Sequence, residues 1–176
     1  MVKRITQNEI NSLPDFLTNA EFVMMFGSIP GMSSTKRLTL QCKSTAIPGE
    51  TVERVSETLA GFEKGQAGGR TWSHTLSVTF AETRDLQISK AFRTWLQMCR
   101  GTKSGSSMGY SKDYQVDVDI YVFDTAGEMV KSCTIYGLQP TEFPEIGLEG
   151  GTSHAVVNVA ITFGYNYSSN DENTEL

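Results

Sequence analysis

Apolar and polar side chains alternate with period two along much of this chain, and that spacing predicts strands with one dry and one wet face. In residues 20–27, Phe22, Met24 and Phe26 alternate with Glu21 and Met25. Residues 37–44 repeat the pattern through Leu38, Leu40 and Cys42. The cleanest run is 70–80, with Trp72, His74, Leu76, Val78 and Phe80 on one face and Thr71, Ser73, Thr75, Ser77 and Thr79 on the other. Residues 154–167 alternate Ala155, Val157, Val159, Ile161, Phe163 and Tyr165 against mostly polar positions.

The most informative stretch is 114–138, where Val116, Val118, Ile120 and Val122 alternate with Gln115, Asp117, Asp119 and Tyr121. Asp124-Thr125-Ala126-Gly127 then offers Asp first and Gly fourth, as a type I turn prefers. A second alternating run follows, so the stretch reads as a β-hairpin. A four-residue loop pairs Phe123 with Glu128 and places Met129, Cys133 and Ile135 on the valine face. Asp119 then faces Ser132, and Asp117 faces Thr134. A one-residue slip would put the apolar set beside the aspartates, so burial selects this register. Lys131 is its single misfit, able to snorkel at an edge. The predicted hairpin has a dry side and an acidic, hydroxyl-lined side.

One segment is helical. Asp85 is positioned to cap residues 86–100, and Ile88, Phe92, Trp95, Leu96 and Cys99 recur at helical spacing, a stripe that packs against the sheet. Residues 45–69 differ from the rest: Val52, Val55, Leu59 and Phe62 are isolated apolar residues between Pro48-Gly49 and a run of glycines. The segment is too long for an idle connection in a compact domain. An extended arm that meets a neighbouring copy accounts for its apolar residues; a surface hairpin is the simpler alternative. Residues 1–20 read as a polar N-terminal arm, and 168–176 as an acidic, disordered tail. Between them, 21–167 form one domain of six or seven strands.

Composition narrows the function classes. The net charge of -5 argues against general nucleic-acid affinity, which needs a basic surface. The three cysteines, Cys42, Cys99 and Cys133, stand at wide spacings without a CxxC pair, so reduced thiols are expected. No run reaches the roughly 18 apolar residues of a transmembrane helix, and no secretory leader or membrane anchor is expected. Reactive constellations are missing too. His74 and His154 have no ligand partners at recognised metal spacing, so both are assigned structural roles. The loop 101–112 lacks the GK[ST] ending of a phosphate loop, and GxSxG does not occur. Asp117 and Asp119 share a strand face, but a catalytic pair would need a cleft and a partner base. No enzyme activity, metal or cofactor is expected.

Five stretches carry a family likeness: LQCKSTAIPG (40–49), GGRTWSHTLSVTF (68–80), FRTWLQM (92–98), YGLQPTEFPEIGL (136–148) and VAITFGYNY (159–167). In this order and spacing the chain resembles the tail tube (inner tube) proteins of contractile-tailed bacteriophages, whose fold is shared by pyocin and type VI secretion tubes. The resemblance implies a β-sandwich or barrel with one flanking helix. It implies hexameric rings stacked into a tube, with the genome passing through the lumen. Implied partners are further copies, the tail sheath protein, baseplate and tail-terminator proteins, and the tape measure protein in the lumen. The location would be the virion tail, assembled in the host cytoplasm. By position, 45–69 corresponds to the family's loop that contacts the adjacent ring. A conduit for DNA should be polar and non-basic, so Asp117, Asp119, Ser132 and Thr134 are the expected lumen wall. Two alternatives remain open: a tube protein of a bacterial contractile injection or type VI secretion system, and a stand-alone ligand-binding β-barrel.

Overall fold

The computed structural model describes residues 21–30, 32, 35–101, 109–124, 126–146 and 156–172. The N-terminal arm (1–20), most of the loop at 101–112, and residues 147–155 including His154 lie outside them. In chain order the elements are β1 (Glu21–Phe26), α1 (Lys36–Gln41), β2 (Cys42–Ser44), β3 (Glu50–Leu59), β4 (Phe62–Trp72), β5 (Thr75–Ala81), α2 (Gln87–Cys99), α3 (Ser111–Tyr114), β6 (Val116–Phe123), β7 (Met129–Glu142), β8 (Asn158–Gly164) and β9 (Tyr167–Glu172).

The fold is mainly β, an almost closed barrel-like sheet. Its strands run in the order β1-β6-β7-β8-β5-β2, with β9 added along β7. Strand β7 makes the corner. Its first part pairs with β6, its end pairs with β8 from Gln139, and β9 accompanies it from Lys131 to Tyr136. Along β7, β9 and the pairs Gln139–Gly164 and Pro140–Phe163 of β8 keep one register on either side of Tyr165-Asn166, and the register shifts again between Pro140 and Glu142. Opposite Tyr165-Asn166 sits Gly137 at φ +67°, where the β6–β7 register shifts. A glycine in this conformation makes a bulge, and bulges bend and twist a strand so that it can pass between two parts of a sheet.

The valine face of β6 is buried as alternation predicts: Val116, Val118, Ile120 and Val122 are all in the core, with Cys133, Ile135 and Leu138 from β7. Helix α2 adds Ile88, Phe92 and Trp95 to the same cluster, while Leu96 is half-buried. The ring of Phe92 stands 5.2 Å from Phe80 and 5.6 Å from Phe163, and Trp95 stands 6.0 Å from Phe163. The indole of Trp95 donates to the Tyr114 carbonyl at 2.6 Å, which satisfies its one polar atom inside the core. Each such side chain contributes on the order of 1.5–3 kcal/mol by leaving water.

Several local expectations are corrected. Residues 36–41 form a helix, not a strand; Leu38 is fully buried and Leu40 is 73% exposed, as positions two apart on a helix must diverge. The run 70–80 is two strands, broken at Ser73-His74. Ser73 Oγ donates to the Thr75 carbonyl, Thr75 Oγ1 donates to the Ser73 carbonyl, and His74 sits at φ +54°. Such local bonds compete with a sheet ladder. Helix α2 is capped by Glu82, not Asp85. The Glu82 carboxylate accepts the backbone N–H groups of Ile88 (3.2 Å) and Ser89 (2.9 Å), and the Ser89 hydroxyl. Asp85 instead accepts from the Thr83 hydroxyl and lies 3.3 Å from Arg37 Nη1; these partners, Thr83 foremost, hold its carboxyl below the usual range. Residues 168–172, expected to be disordered, continue β9.

The hairpin turn forms as expected: Gly127 N–H donates to the Asp124 carbonyl at 3.1 Å. Its register does not follow. Phe123 pairs with Met129 instead of Glu128, and a bulge at Val130 adds one more residue; together they move the pairing by two, so Asp119 faces Thr134 and Tyr121 faces Ser132. A shift of two preserves alternation, so Cys133 and Ile135 stay with the valines. Met129, expected with them, precedes the bulge, lies opposite Phe123 and is exposed.

The corner can be tested at Gly137. A Cβ there would stand 2.2 Å from Asn166 Nδ2, on a backbone that L residues resist. Gly137→Ala is expected to lower stability by about 1–3 kcal/mol, measured by urea unfolding, with Gly127→Ala as a positive-φ comparison in open space.

Candidate assembly surfaces

The polar face of the β6–β7 hairpin is built by alternation. Asp117, Asp119 and Tyr121 project from β6, away from the valines. Thr134 lies between Asp119 and Ser169 of β9, and Ser132 lies beside Tyr121. The Thr134 hydroxyl donates to Asp119 Oδ1 at 2.7 Å. Asp117 has another partner: its Oδ1 accepts the Gly137 backbone N–H at 2.9 Å, so it braces the bulge that turns β7. Thus the structure brings Asp119 and Thr134 together, while Asp117 reaches to the corner. Tyr136 and Tyr167 stack beside this corner, centroids 4.5 Å apart and planes 19° apart. Sequence reasoning missed both the brace and the stacked pair. Alternation could have placed Tyr136 on this face, but β9 carried no strand signal.

The arm is the second surface. Strands β3 and β4 form a two-stranded sheet of their own, and from Glu50 to Arg70 every residue is exposed. Ten residues of strand span about 30 Å. The hairpin turns through Ala60 and Gly61, both at positive φ, with Leu59 opposite Phe62. Two positive-φ residues match the twist of the flanking strands. Phe62 is 81% exposed, Leu59 58%, Val55 50% and Val52 53%. Alternation places Val55 and Leu59 on one face of β3, with Val52 on the other. The exposed pairs Arg54–Glu63 (3.5 Å) and Arg70–Glu50 (3.0 Å) add little in water.

The arm is tied down at its root. Trp72 is half-buried against the core. His74 Nδ1 lies 3.1 Å from the Tyr165 carbonyl, and the Tyr165 N–H donates to the His74 carbonyl at 3.3 Å. Asn170 Nδ2 donates to Glu50 at 3.2 Å. The third surface is the outer side of α2, where Lys90, Arg93 and Thr94 are exposed and the Arg93 guanidinium lies 4.9 Å from the Phe143 ring centre.

None of these surfaces gathers reactive groups. Among the described residues, no three His, Cys, Asp or Glu side chains are placed to hold a metal ion. Burial pushes the Cys42 thiol up to about 11 and raises that of Cys99, so neither is a ready nucleophile at neutral pH. Among the described residues no helix is long and apolar enough to cross a membrane.

A family model described as "Phage tail tube protein" matches residues 9–170. No curated protein matches the sequence. Among solved structures, a chain of the anti-feeding prophage tube-terminating cap superposes with a TM-score of 0.64 at 13% identity, over 92% of this chain and 94% of that one. A chain of an extracellular contractile injection system, in its sheath–tube complex in the extended state, gives 0.61 at 11% identity, over 96% and 99%. A chain of the 6-fold symmetrised anti-feeding prophage baseplate gives 0.59 at 13%, over 94% and 99%. The likeness to these three is one of fold.

The two aspartates are expected to separate by their bonds. Asp117→Ala leaves the Gly137 N–H without its charged acceptor and should cost about 1–3 kcal/mol in urea unfolding. Asp119→Ala leaves a half-exposed Thr134 hydroxyl that water can satisfy, and should cost less than about 1 kcal/mol.

Proposed function

The chain belongs to the phage tail tube protein family, and from that membership we propose that its copies close into hexameric rings that stack into the hollow inner tube of a contractile tail. The family match over residues 9–170 carries this reading. The 6-fold symmetry and the sheath–tube complex belong to the structures of similar fold and support the hexamer and the contractile setting. In the proposed tube, the face bearing Asp117, Asp119, Ser132 and Thr134 lines the channel. A wall of carboxylates and hydroxyls repels phosphates, whereas a lysine-rich wall would bind DNA by releasing its counterions. The arm, through Val52, Val55, Leu59 and Phe62, reaches the adjacent ring. Residues 21–167, extended by β9, act as the single structural domain. Further partners are the sheath, baseplate, terminator and tape measure proteins, in a virion tail assembled in the host cytoplasm. The role is structural, without catalysis.

A packed barrel core counts against the stand-alone ligand-binding reading, because Phe80, Phe92, Trp95 and Phe163 fill the space a ligand would need. The tube of a contractile injection particle without a genome is the second reading, favoured by the origin of the structures with similar fold. It uses the same rings and the same wall.

Electron microscopy of the purified protein is expected to show six-fold rings or hollow tubes; a uniformly monomeric sample at high concentration overturns the assembly. In a reconstruction, Asp117 and Asp119 should face the channel, and placement on the outer wall would refute the lumen assignment. Replacing residues 51–71 by a short glycine–serine link between Glu50 and Trp72, which pair at the arm's root, should leave thermal unfolding nearly unchanged and stop tube growth at rings.

A further inference from the structure

Among the described residues, two apolar surfaces are left uncovered. One is the arm tip, where Leu59 and Phe62 pair across the turn and Glu57, Lys64 and Gln66 border the same face. The other is a groove of about 570 Å³ between the end of β1 and α1. Met25, Phe26, Met32, Thr39 and Leu40 line it, with Lys36 beside them. Its apolar character is exposed, not merely adjacent: Leu40 is 73% accessible and Met25 52%. Among the described residues β1 is hydrogen-bonded only to β6.

We propose that this groove receives the arm tip of a second copy, with Leu59 and Phe62 seated against Leu40 and Met25, and Glu57 beside Lys36. The inference rests on the tube reading and adds to it the receiving surface. Three observations argue for a second copy as the occupant. The arm does not cover its own groove, since Leu59, Phe62, Met25 and Leu40 are all exposed in the single chain. An isolated two-stranded hairpin is marginal in water, so the arm needs an apolar partner to be a stable element. The chemistry matches, because an apolar tip flanked by a carboxylate meets an apolar floor flanked by an ammonium. Each copy then carries one arm and one groove, which makes the contact heterologous. A heterologous contact that does not close on itself propagates, as stacking of identical rings requires. Six weak contacts made together between two rings would hold far more firmly than one.

The test uses the full chain and two separate variants. Leu40→Glu spoils the groove and leaves the arm; Phe62→Glu spoils the arm and leaves the groove. Both positions are exposed, so far-ultraviolet circular dichroism and thermal unfolding should match the parent. At concentrations where the parent forms tubes, each variant alone is expected to stop at single rings, and tube growth is expected to need at least tenfold more protein. Rings of the two variants, assembled apart and then mixed, are expected to join into two-ring stacks that grow no further, since one intact groove meets one intact arm. Normal tubes from Leu40→Glu, with tube growth lost only in Phe62→Glu, overturn the groove while leaving the tube reading intact. Single rings persisting in the mixture overturn it equally. Absence of rings and tubes from the parent protein overturns both.

Discussion

The structure depends on strand β7 changing partners without leaving the sheet. A strand that runs straight cannot pair with β6 in its first part and with β8 in its last while both flanks enclose one core. Gly137 makes the change by adopting φ +67°, and the Asp117 carboxylate holds its N–H. On the other side of β7, the Asn166 N–H donates to the Tyr136 carbonyl at 3.0 Å as β8 gives way to β9. One residue earlier, Tyr165 exchanges contacts with His74 at the root of the arm. The corner therefore joins three features that are far apart in the chain: the acidic face, the sheet closure and the arm's direction. A polar face that looks like bare surface contains part of the device that shapes the domain.

The arm follows different physics. The barrel domain is stabilised by its aromatic and aliphatic interior, with Phe92 and Trp95 locked among Phe80 and Phe163. The arm has cross-strand pairs and exposed ion pairs, but among the described residues no second layer buries Val55, Leu59 or Phe62. In a solitary protein such a hairpin would be a liability, since exposed apolar strands invite association. In a polymer of one chain the same exposure becomes the means of association. In the proposed tube root and tip divide the work: Trp72, His74 and Glu50 orient the arm, and the tip is the part offered to a second copy.

Much of this was legible in the residues. Alternation placed the β6 valines inside and the aspartates outside, Asp124 and Gly127 marked the turn, and helical spacing identified the stripe of α2. What period-two spacing cannot see is where a strand is interrupted without a change of face. The break at His74 is of that kind, with Trp72 and Leu76 turned inward on either side, so the run 70–80 read as one strand; the bulge at Gly137 instead moves the buried positions from Cys133 and Ile135 to Leu138 and Pro140. The longer turn and the bulge after Met129 together shifted the pairing by two, which leaves Cys133 and Ile135 on the expected face, puts Met129 on the other one and changes the cross-strand partners. Short runs fail for another reason: Leu38, Leu40 and Cys42 fit a strand as well as a helix over six residues, and only burial separates them. Strand β9 is held by the ladder of β7, not by its own polar residues, so nothing local announced it. Of the proposed surfaces, the arm was visible as misplaced apolar residues. The groove was not, because Met25 and Leu40 come from two elements that only the fold brings together.

The packed interior also decides where a channel must be. A β-barrel that carries cargo alone needs an open lumen among its own strands, yet here Trp95 is fully buried, with its indole bonded to Tyr114. No change of side-chain rotamer empties a core in which four aromatic rings stand within about 6 Å of their neighbours. Any conduit built from this protein therefore runs between copies, along outward faces of the sheet. The face of β6, β7 and β9 meets the demands on such a wall, since Asp119 and Thr134 satisfy each other and Asp117 is committed to the backbone. Groups already bonded to one another have little left to offer a passing polymer, and that, as much as their charge, is what keeps a wall from gripping.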